Sequence, residues 1–137
     1  MKTAIIYKTK TGSTKKYADW LAAAIDAKVM PFDQAAEADL SSFERLIVSS
    51  GTYAGRMPLT KFLKENWEKL EDKKIVILAV GAAPEDNWWS HISYRLIPAK
   101  IRKSSTYRKL PGDIGKSIKE EAAKKYLERV VRDLGIS

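Results

Sequence analysis

The chain has 137 residues, no cysteine and a formal net charge of +8. Its length fits a single domain over residues 1–137, since domains typically contain about 100 to 150 residues. The lack of cysteine excludes disulfides, iron–sulfur clusters and thiol catalysis. No stretch approaches the ~20 apolar residues of a membrane span, and the first residues lack the apolar core of a signal peptide. These features predict a soluble globular protein, with the cytoplasm as its expected location.

Short β-branched runs alternate with amphipathic segments along the chain. The run at 75–80 is apolar throughout, which is typical of a parallel strand covered on both faces. Parallel neighbours need crossover connections, so the alternation predicts an α/β fold with a doubly wound, five-stranded parallel sheet. Strands are predicted at 1–7, 28–32, 45–49, 75–80 and 105–110, and helices at 13–27, 59–70, 88–96 and 118–134, with a brief helical turn at 39–43.

The turn between the first strand and the first helix is rich in hydroxyls and contains one glycine. Unpaired backbone N–H groups at the helix start, the positive end of the helix dipole and clustered hydroxyls can together surround a phosphate. The spacing fits neither a Walker loop nor a dinucleotide fingerprint. An ordinary turn with Ser13 or Thr14 as N-cap is the alternative. The favoured interpretation is a phosphate site formed by Thr9, Lys10, Thr11, Gly12, Ser13 and Thr14.

This segment resembles the Thr-x-Thr-Gly-x-Thr phosphate loop of the flavodoxins, and it matches that pattern at every specified position. The resemblance implies a flavodoxin-like sheet with strand order 2-1-3-4-5 and FMN as the cofactor, held by the loops after strands 1, 3 and 4. It also implies an electron-transfer protein. Because the cofactor supplies the chemistry in such proteins, no catalytic side chain is expected.

The loops after the third and fourth strands are the expected site of the flavin ring. In flavodoxins the first of these loops bonds flavin N5, a role that the resemblance gives to Gly51 and Thr52, while Tyr53 offers a flat ring. The second loop donates backbone N–H groups to the pyrimidine edge, and one of its two tryptophans is a candidate for the other flavin face. Simple packing of these aromatic residues is the alternative. The expected ring-side residues are Ser50, Gly51, Thr52, Tyr53, Gly81, Ala82, Ala83, Trp88 and Trp89.

The positive charge departs from the flavodoxin pattern, because flavodoxins are usually acidic. The excess is concentrated between Arg95 and Lys109, where no acidic residue occurs. Complementarity of sign then favours an acidic redox partner protein, or an anionic membrane surface, as the contact. A merely solubilising basic surface is the alternative. No dedicated nucleic-acid-binding fold is apparent, so no specific nucleic-acid partner is expected, and the single histidine, His91, gives no basis for a metal site.

Two other functions stay open. A weaker resemblance to the menaquinone-dependent protoporphyrinogen oxidases suggests an FMN-dependent oxidoreductase acting on a quinone or a tetrapyrrole. This chain lacks a long insertion after strand 4 or 5 of the kind associated with those enzymes. The other alternative is a flavodoxin-fold module that binds no flavin and uses the basic segment for protein interaction.

Overall fold

The computed structural model describes residues 2–10, 12–53, 56–81 and 87–136, together with the backbone but not the side chain of Trp89. Strands and helices alternate through these ranges. The strands are β1 (Thr3–Lys8), β2 (Lys28–Pro31), β3 (Arg45–Gly51), β4 (Lys74–Gly81) and β5 (Ser105–Pro111). The helices are α1 (Ser13–Ile25), α2 (Phe32–Glu37), α3 (Pro58–Leu70), α4 (Trp88–Arg95), α5 (Ala99–Lys103) and α6 (Glu120–Leu134).

The five strands form one parallel sheet in the order β2-β1-β3-β4-β5. Its register places Ile5 of β1 between Val29 of β2 and Ile47 of β3. The predicted α/β fold, doubly wound sheet and strand order are therefore confirmed. In this order β1 and β3 are neighbours whose connections leave on opposite faces, so the loops after β1, β3 and β4 meet at the carboxyl edge of the sheet.

Two apolar cores cover the two faces of the sheet. One lies beneath α2, α3 and α5, and the other lies beneath α1 and α6. Alternate residues of β4 supply them, so that Ile77 points to the first core and Leu78 to the second. Complete burial of such a side chain contributes about 1.5–3 kcal/mol, which explains why the continuous apolar run of β4 forms a central strand. None of the helices in the described ranges has the length and apolarity needed to cross a membrane.

The connection between β2 and β3 differs from the sequence-based prediction. The prediction of a helical turn at 39–43 is wrong. The helix of this connection, α2, begins earlier, at Phe32, directly after Pro31 ends β2. Residues 40–43 instead form a reverse turn in which the Phe43 N–H donates to the Leu40 carbonyl at 3.0 Å. The short helix α5 was not predicted, since five residues carry too little periodicity to be distinguished from a loop.

Candidate functional site

The turn between β1 and α1 is shaped by a glycine in the left-handed region. Gly12 has φ of 96° and stands as the N-cap residue of α1. A Cβ at this position would meet no atom within 4 Å, so the backbone angle and not lack of space requires glycine. The alternative in which Ser13 or Thr14 is the N-cap is therefore wrong. Among the described residues no side chain caps α1, and its first N–H groups face the carboxyl edge of the sheet.

The described hydroxyls of the phosphate loop surround that helix start. The Gly12 N–H donates to Thr9 Oγ1 at 2.9 Å, which fixes the turn. Ser13 and Thr14 are both buried, although neither is apolar. Ser13 Oγ accepts a hydrogen bond from the Ile114 N–H at 3.0 Å, and a hydroxyl that accepts can also donate. Thr11, the remaining hydroxyl of the predicted loop, lies outside the described residues.

The loop after β5, which the sequence did not predict to take part, is tied to this turn. Besides the bond from Ile114, the hydroxyl of Tyr17 on α1 donates to the carbonyl of Pro111 at the end of β5. Tyr17 is 1% exposed, and this burial, reinforced by Tyr126, raises the pKa of its phenol far above the usual range. The helix that carries the phosphate loop is thus held against the last strand of the sheet.

Two predicted site residues from distant parts of the sequence meet at the carboxyl edge. The Lys10 ammonium lies 5.2 Å from the centroid of the Tyr53 ring, within the range of a cation–π contact. Burial raises the pKa of the Tyr53 phenol above its ordinary value. The structure therefore joins the phosphate loop to the loop after β3.

An antiparallel bridge joins the two described ends of the loop after β3. The Tyr53 N–H donates to the Arg56 carbonyl at 2.7 Å, and the Arg56 N–H donates back at 3.0 Å. Ser50 is completely buried, and its hydroxyl accepts a bond from the Leu59 N–H at the start of α3. The Tyr53 side chain folds back over Gly51, where a Cβ would lie 2.5 Å from the phenol oxygen. Ser50 consequently supports the loop from beneath, and Tyr53 covers its first glycine.

Three loops meet at Gly81. The Thr52 N–H donates to the Val80 carbonyl at 2.9 Å, and the Thr52 hydroxyl occupies the space that a Cβ on Gly81 would need. From the other side the Gly112 N–H donates to the Gly81 carbonyl at 3.0 Å, and a Cβ on Gly112 would lie 3.1 Å from the Gly81 Cα. Only residues without side chains allow so close an approach of two backbones. Gly81 and Gly112 thereby bring the loops after β3, β4 and β5 together.

The remaining predicted residues belong to the loop after β4. Ala82 and Ala83 lie outside the described residues, as does the side chain of Trp89. Trp88, at the start of α4, has 65% of its surface exposed. Its ring is therefore not part of the core, contrary to the packing alternative.

Lys109 was counted with the exposed basic segment, but the structure buries it. The residue is 6% exposed, and its ammonium donates to Ser90 Oγ on α4 at 2.7 Å. Its Cε would lie 3.5 Å from a Cβ placed on Gly81. Lys109 therefore touches both ends of the loop after β4. The sequence did hold a signal, because period-two alternation puts Lys109 on the same face of β5 as the half-buried Tyr107.

The other cations of the segment from Arg95 to Lys109 are divided among several environments. Arg108 is 4.0 Å from the Asp133 carboxylate on α6. The Arg102 guanidinium lies 5.6 Å from the Tyr94 ring. Three cations are exposed to solvent, namely Arg95, Lys100 and Lys103. The segment is thus only partly available to a partner. Within the described ranges, no three His, Cys, Asp or Glu side chains are grouped so that they could hold a metal ion.

The fold and the carboxyl-edge site define a class of protein that comparison with known proteins identifies. The chain belongs to the flavodoxin domain family, whose model matches residues 4–125. No curated protein sequence matches it significantly.

Solved structures with the same fold extend over nearly the whole chain. An archaeal flavodoxin shares 19% identity over 98% of this chain and 99% of its own, with a TM-score of 0.63. Oxidised flavodoxin 2 from Bacillus cereus shares 16% identity over 98% and 99%, with a TM-score of 0.65. A flavoprotein from Lactobacillus acidophilus NCFM, solved in complex with FMN, shares 14% over 91% and 97%, with a TM-score of 0.56. At identities this low, the structural similarity shows a common fold and nothing more specific.

Proposed function

We propose that this protein binds FMN and transfers electrons between other redox proteins. The observation that carries the proposal is the start of α1, which no described side chain caps. It follows the left-handed Gly12 at the carboxyl edge of the sheet, where β1 and β3 are neighbours. Such a position satisfies the two requirements of a phosphate site, free N–H donors and a positive dipole end. The family and the FMN complex of the Lactobacillus relative support the choice of ligand.

The phosphate group of FMN would be held by the loop after β1. Its dianionic charge complements the dipole of α1 and the Lys10 ammonium. The buried hydroxyls of Ser13 and Thr14 supply donors without adding charge. The full proposed set is Thr9, Lys10, Thr11, Gly12, Ser13 and Thr14.

The flavin ring would be framed by the loops after β3 and β4. Thr52 and Tyr53 would line this frame from the loop after β3, with the Tyr53 ring over Gly51 and the Thr52 hydroxyl against Gly81. Bound FMN would supply one-electron and two-electron chemistry, whereas the chain binds it, orients it and excludes water. The proposed ring-side set is Ser50, Gly51, Thr52, Tyr53, Gly81, Ala82, Ala83, Trp88 and Trp89.

Lys109 would act as a positioning residue for the ring-side frame. Its stem lies against Gly81 and its ammonium bonds Ser90, so it joins the residues that flank the loop after β4. A buried positive charge also favours nearby negative charge, because the protein interior screens it less than water does. Lys109 would therefore raise the midpoint potential of a flavin bound at that loop.

The proposal is tested by titrating the purified protein, stripped of any ligand, with FMN and following flavin fluorescence. Riboflavin, which has the same ring without the phosphate, is the matched control ligand. We expect FMN to bind at least roughly tenfold more tightly than riboflavin, the contribution of about one charge-assisted hydrogen bond. Unchanged FMN fluorescence would remove the flavin function and leave a flavodoxin-fold interaction module.

Electron transfer is tested on the FMN-loaded protein. We expect reversible reduction and reoxidation by one-electron redox proteins, with slow consumption of NAD(P)H and quinones. Rapid turnover with NAD(P)H and a quinone would instead establish the alternative, an FMN-dependent oxidoreductase.

A further inference from the structure

An open groove of about 410 Å³ lies beside the candidate flavin site, between the start of α3 and the end of α4. Its walls combine three cations, one carboxylate and apolar surface. The groove residues are Arg56, Met57, Thr60, Lys61, Lys64, Glu65 and Leu96. None of them belongs to the phosphate loop or to the proposed ring-side set.

The groove is structurally continuous with the ring side of the site. Arg56 shares two backbone hydrogen bonds with Tyr53, the aromatic residue that covers Gly51. Leu96 directly follows α4, the helix that begins with Trp88. The Arg56 wall of the groove therefore continues from the loop after β3, and the Leu96 wall lies at the end of α4 away from the loop after β4.

The groove carries an excess of positive charge. Its one carboxylate, Glu65, is 3.8 Å from the Lys61 ammonium, and this exposed pair is too weak to be a structural requirement. Within the described ranges, Arg56 and Lys64 form no ion pair. Arg95, next to Leu96, adds an exposed cation at the rim. The groove thus keeps a net positive charge, which complements an acidic surface.

Apolar surface lies among these cations. Leu96 is 50% exposed and Met57 is buried beneath the groove, while Trp88 is 65% exposed at the other end of α4. An apolar centre with a charged rim is the usual anatomy of a protein–protein interface, in which a few apolar and aromatic anchors contribute most of the affinity. A membrane surface fits less well, because stable membrane attachment needs a continuous apolar helix face or a lipid anchor as a second signal.

We propose that this groove docks an acidic electron-transfer protein against the ring side of the site. The proposal rests on the proposed function for its purpose, but the docking itself depends only on the groove. Attraction between the acidic partner and the cations would accelerate the encounter, and contact with Leu96 would prolong it.

The test measures binding of the full-length protein to an acidic plant-type ferredoxin by titration calorimetry at low ionic strength. The test variant carries Lys61→Glu with Lys64→Glu. The matched control carries Lys28→Glu with Lys125→Glu, which makes the same change in net charge at exposed positions on β2 and α6. We expect the groove variant to weaken binding at least about tenfold more than the control does, and added salt to abolish the difference.

A second variant, Leu96→Ala, distinguishes the contribution of apolar contact to partner binding from the contribution of charge. We expect it to weaken binding roughly threefold or more, with an unchanged salt dependence, since it removes exposed apolar area only. Both measurements are made with and without FMN, so that loss of the flavin function and loss of docking give different results. Failure of FMN to bind would leave docking in place as a simple protein contact.

Three outcomes of the protein-binding measurements would overturn the proposal. They are no binding of the acidic ferredoxin at about 10 mM salt, equal losses in the groove and control variants, and tighter binding of the basic cytochrome c than of ferredoxin. Vesicles of phosphatidylserine and phosphatidylcholine provide the remaining comparison. If the groove variant loses vesicle binding but keeps ferredoxin binding, the groove is a membrane contact and the proposal fails.

Discussion

The phosphate side and the ring side of the candidate site are built in different ways. The phosphate side comes from one short turn, in which Gly12 sets the backbone and α1 supplies the N–H groups. The ring side depends on three loops that meet at Gly81, with Thr52 on one side and Gly112 on the other. A change of side-chain charge in the first region should therefore act mainly on ligand binding, beyond the backbone strain that any residue except glycine meets at Gly12. A change in the second region should alter binding and folding together.

The largest effect is expected from Gly12→Asp. The added carboxylate would repel a phosphate held by α1, so we predict that FMN affinity falls by roughly 100-fold or more. The matched control is Gly12→Asn, which has nearly the same shape without the charge and meets the same backbone strain at this left-handed position. FMN titrations of both variants would measure the difference, and equal affinities would contradict the assignment of this loop to the phosphate.

Gly81→Ala is expected to damage the ring side through the fold. Its Cβ would overlap the Thr52 hydroxyl, so we predict a loss of about 1–3 kcal/mol in the free energy of unfolding. Thr52→Ala removes that hydroxyl and leaves the Thr52 Cβ 3.4 Å from the new methyl group, an ordinary contact. The double variant should consequently recover most of the loss in urea denaturation. Simple addition of the two single effects would show that Thr52 does not limit the space at Gly81.

Lys109→Met tests the cation beneath the ring side. Removing the charge while keeping an unbranched stem should make the flavin midpoint potential more negative by tens of millivolts, as expected for a charge in a partly screened interior. The control is Lys103→Met in the same basic segment, which is exposed and should leave the potential unchanged. Spectroelectrochemistry of both FMN-loaded variants provides the measurement. Equal potentials would limit Lys109 to a structural role.

The smallest effect is expected from Tyr17→Phe, which removes the hydrogen bond to the Pro111 carbonyl between the two regions. We predict a loss of about 1 kcal/mol at neutral pH. Because burial raises the pKa of the Tyr17 phenol, its stabilisation is complete below the unfolded value of about 10 and declines as the pH rises above it. The difference between wild type and variant should therefore shrink as the pH rises above about 10, as measured by urea denaturation. A difference that stays constant would show that Tyr17 does not account for the alkaline loss.

Much of this molecule could be predicted because its signals are local. The apolar run of β4 and the glycine turn before α1 each report a buried strand or a helix start within a few residues. The exposed basic segment was predicted less well. Its composition could not show that Lys109 points inward, since that depends on α4 and Gly81 packing against the same face of β5.

The sequence by itself determined the parallel α/β sheet and the position of the glycine turn, whereas the family and the strand order came from its resemblance to the flavodoxins. The sheet and the turn follow from short patterns whose physical causes lie within the pattern, such as the left-handed Gly12 and the alternating burial of strands. The tertiary structure alone decided that Thr52, Gly81 and Gly112 share one crossing point, that Lys109 is buried, and that Arg56 and Leu96 line one groove. Those contacts join residues far apart in the chain, and their geometry is set by how the strands and helices pack.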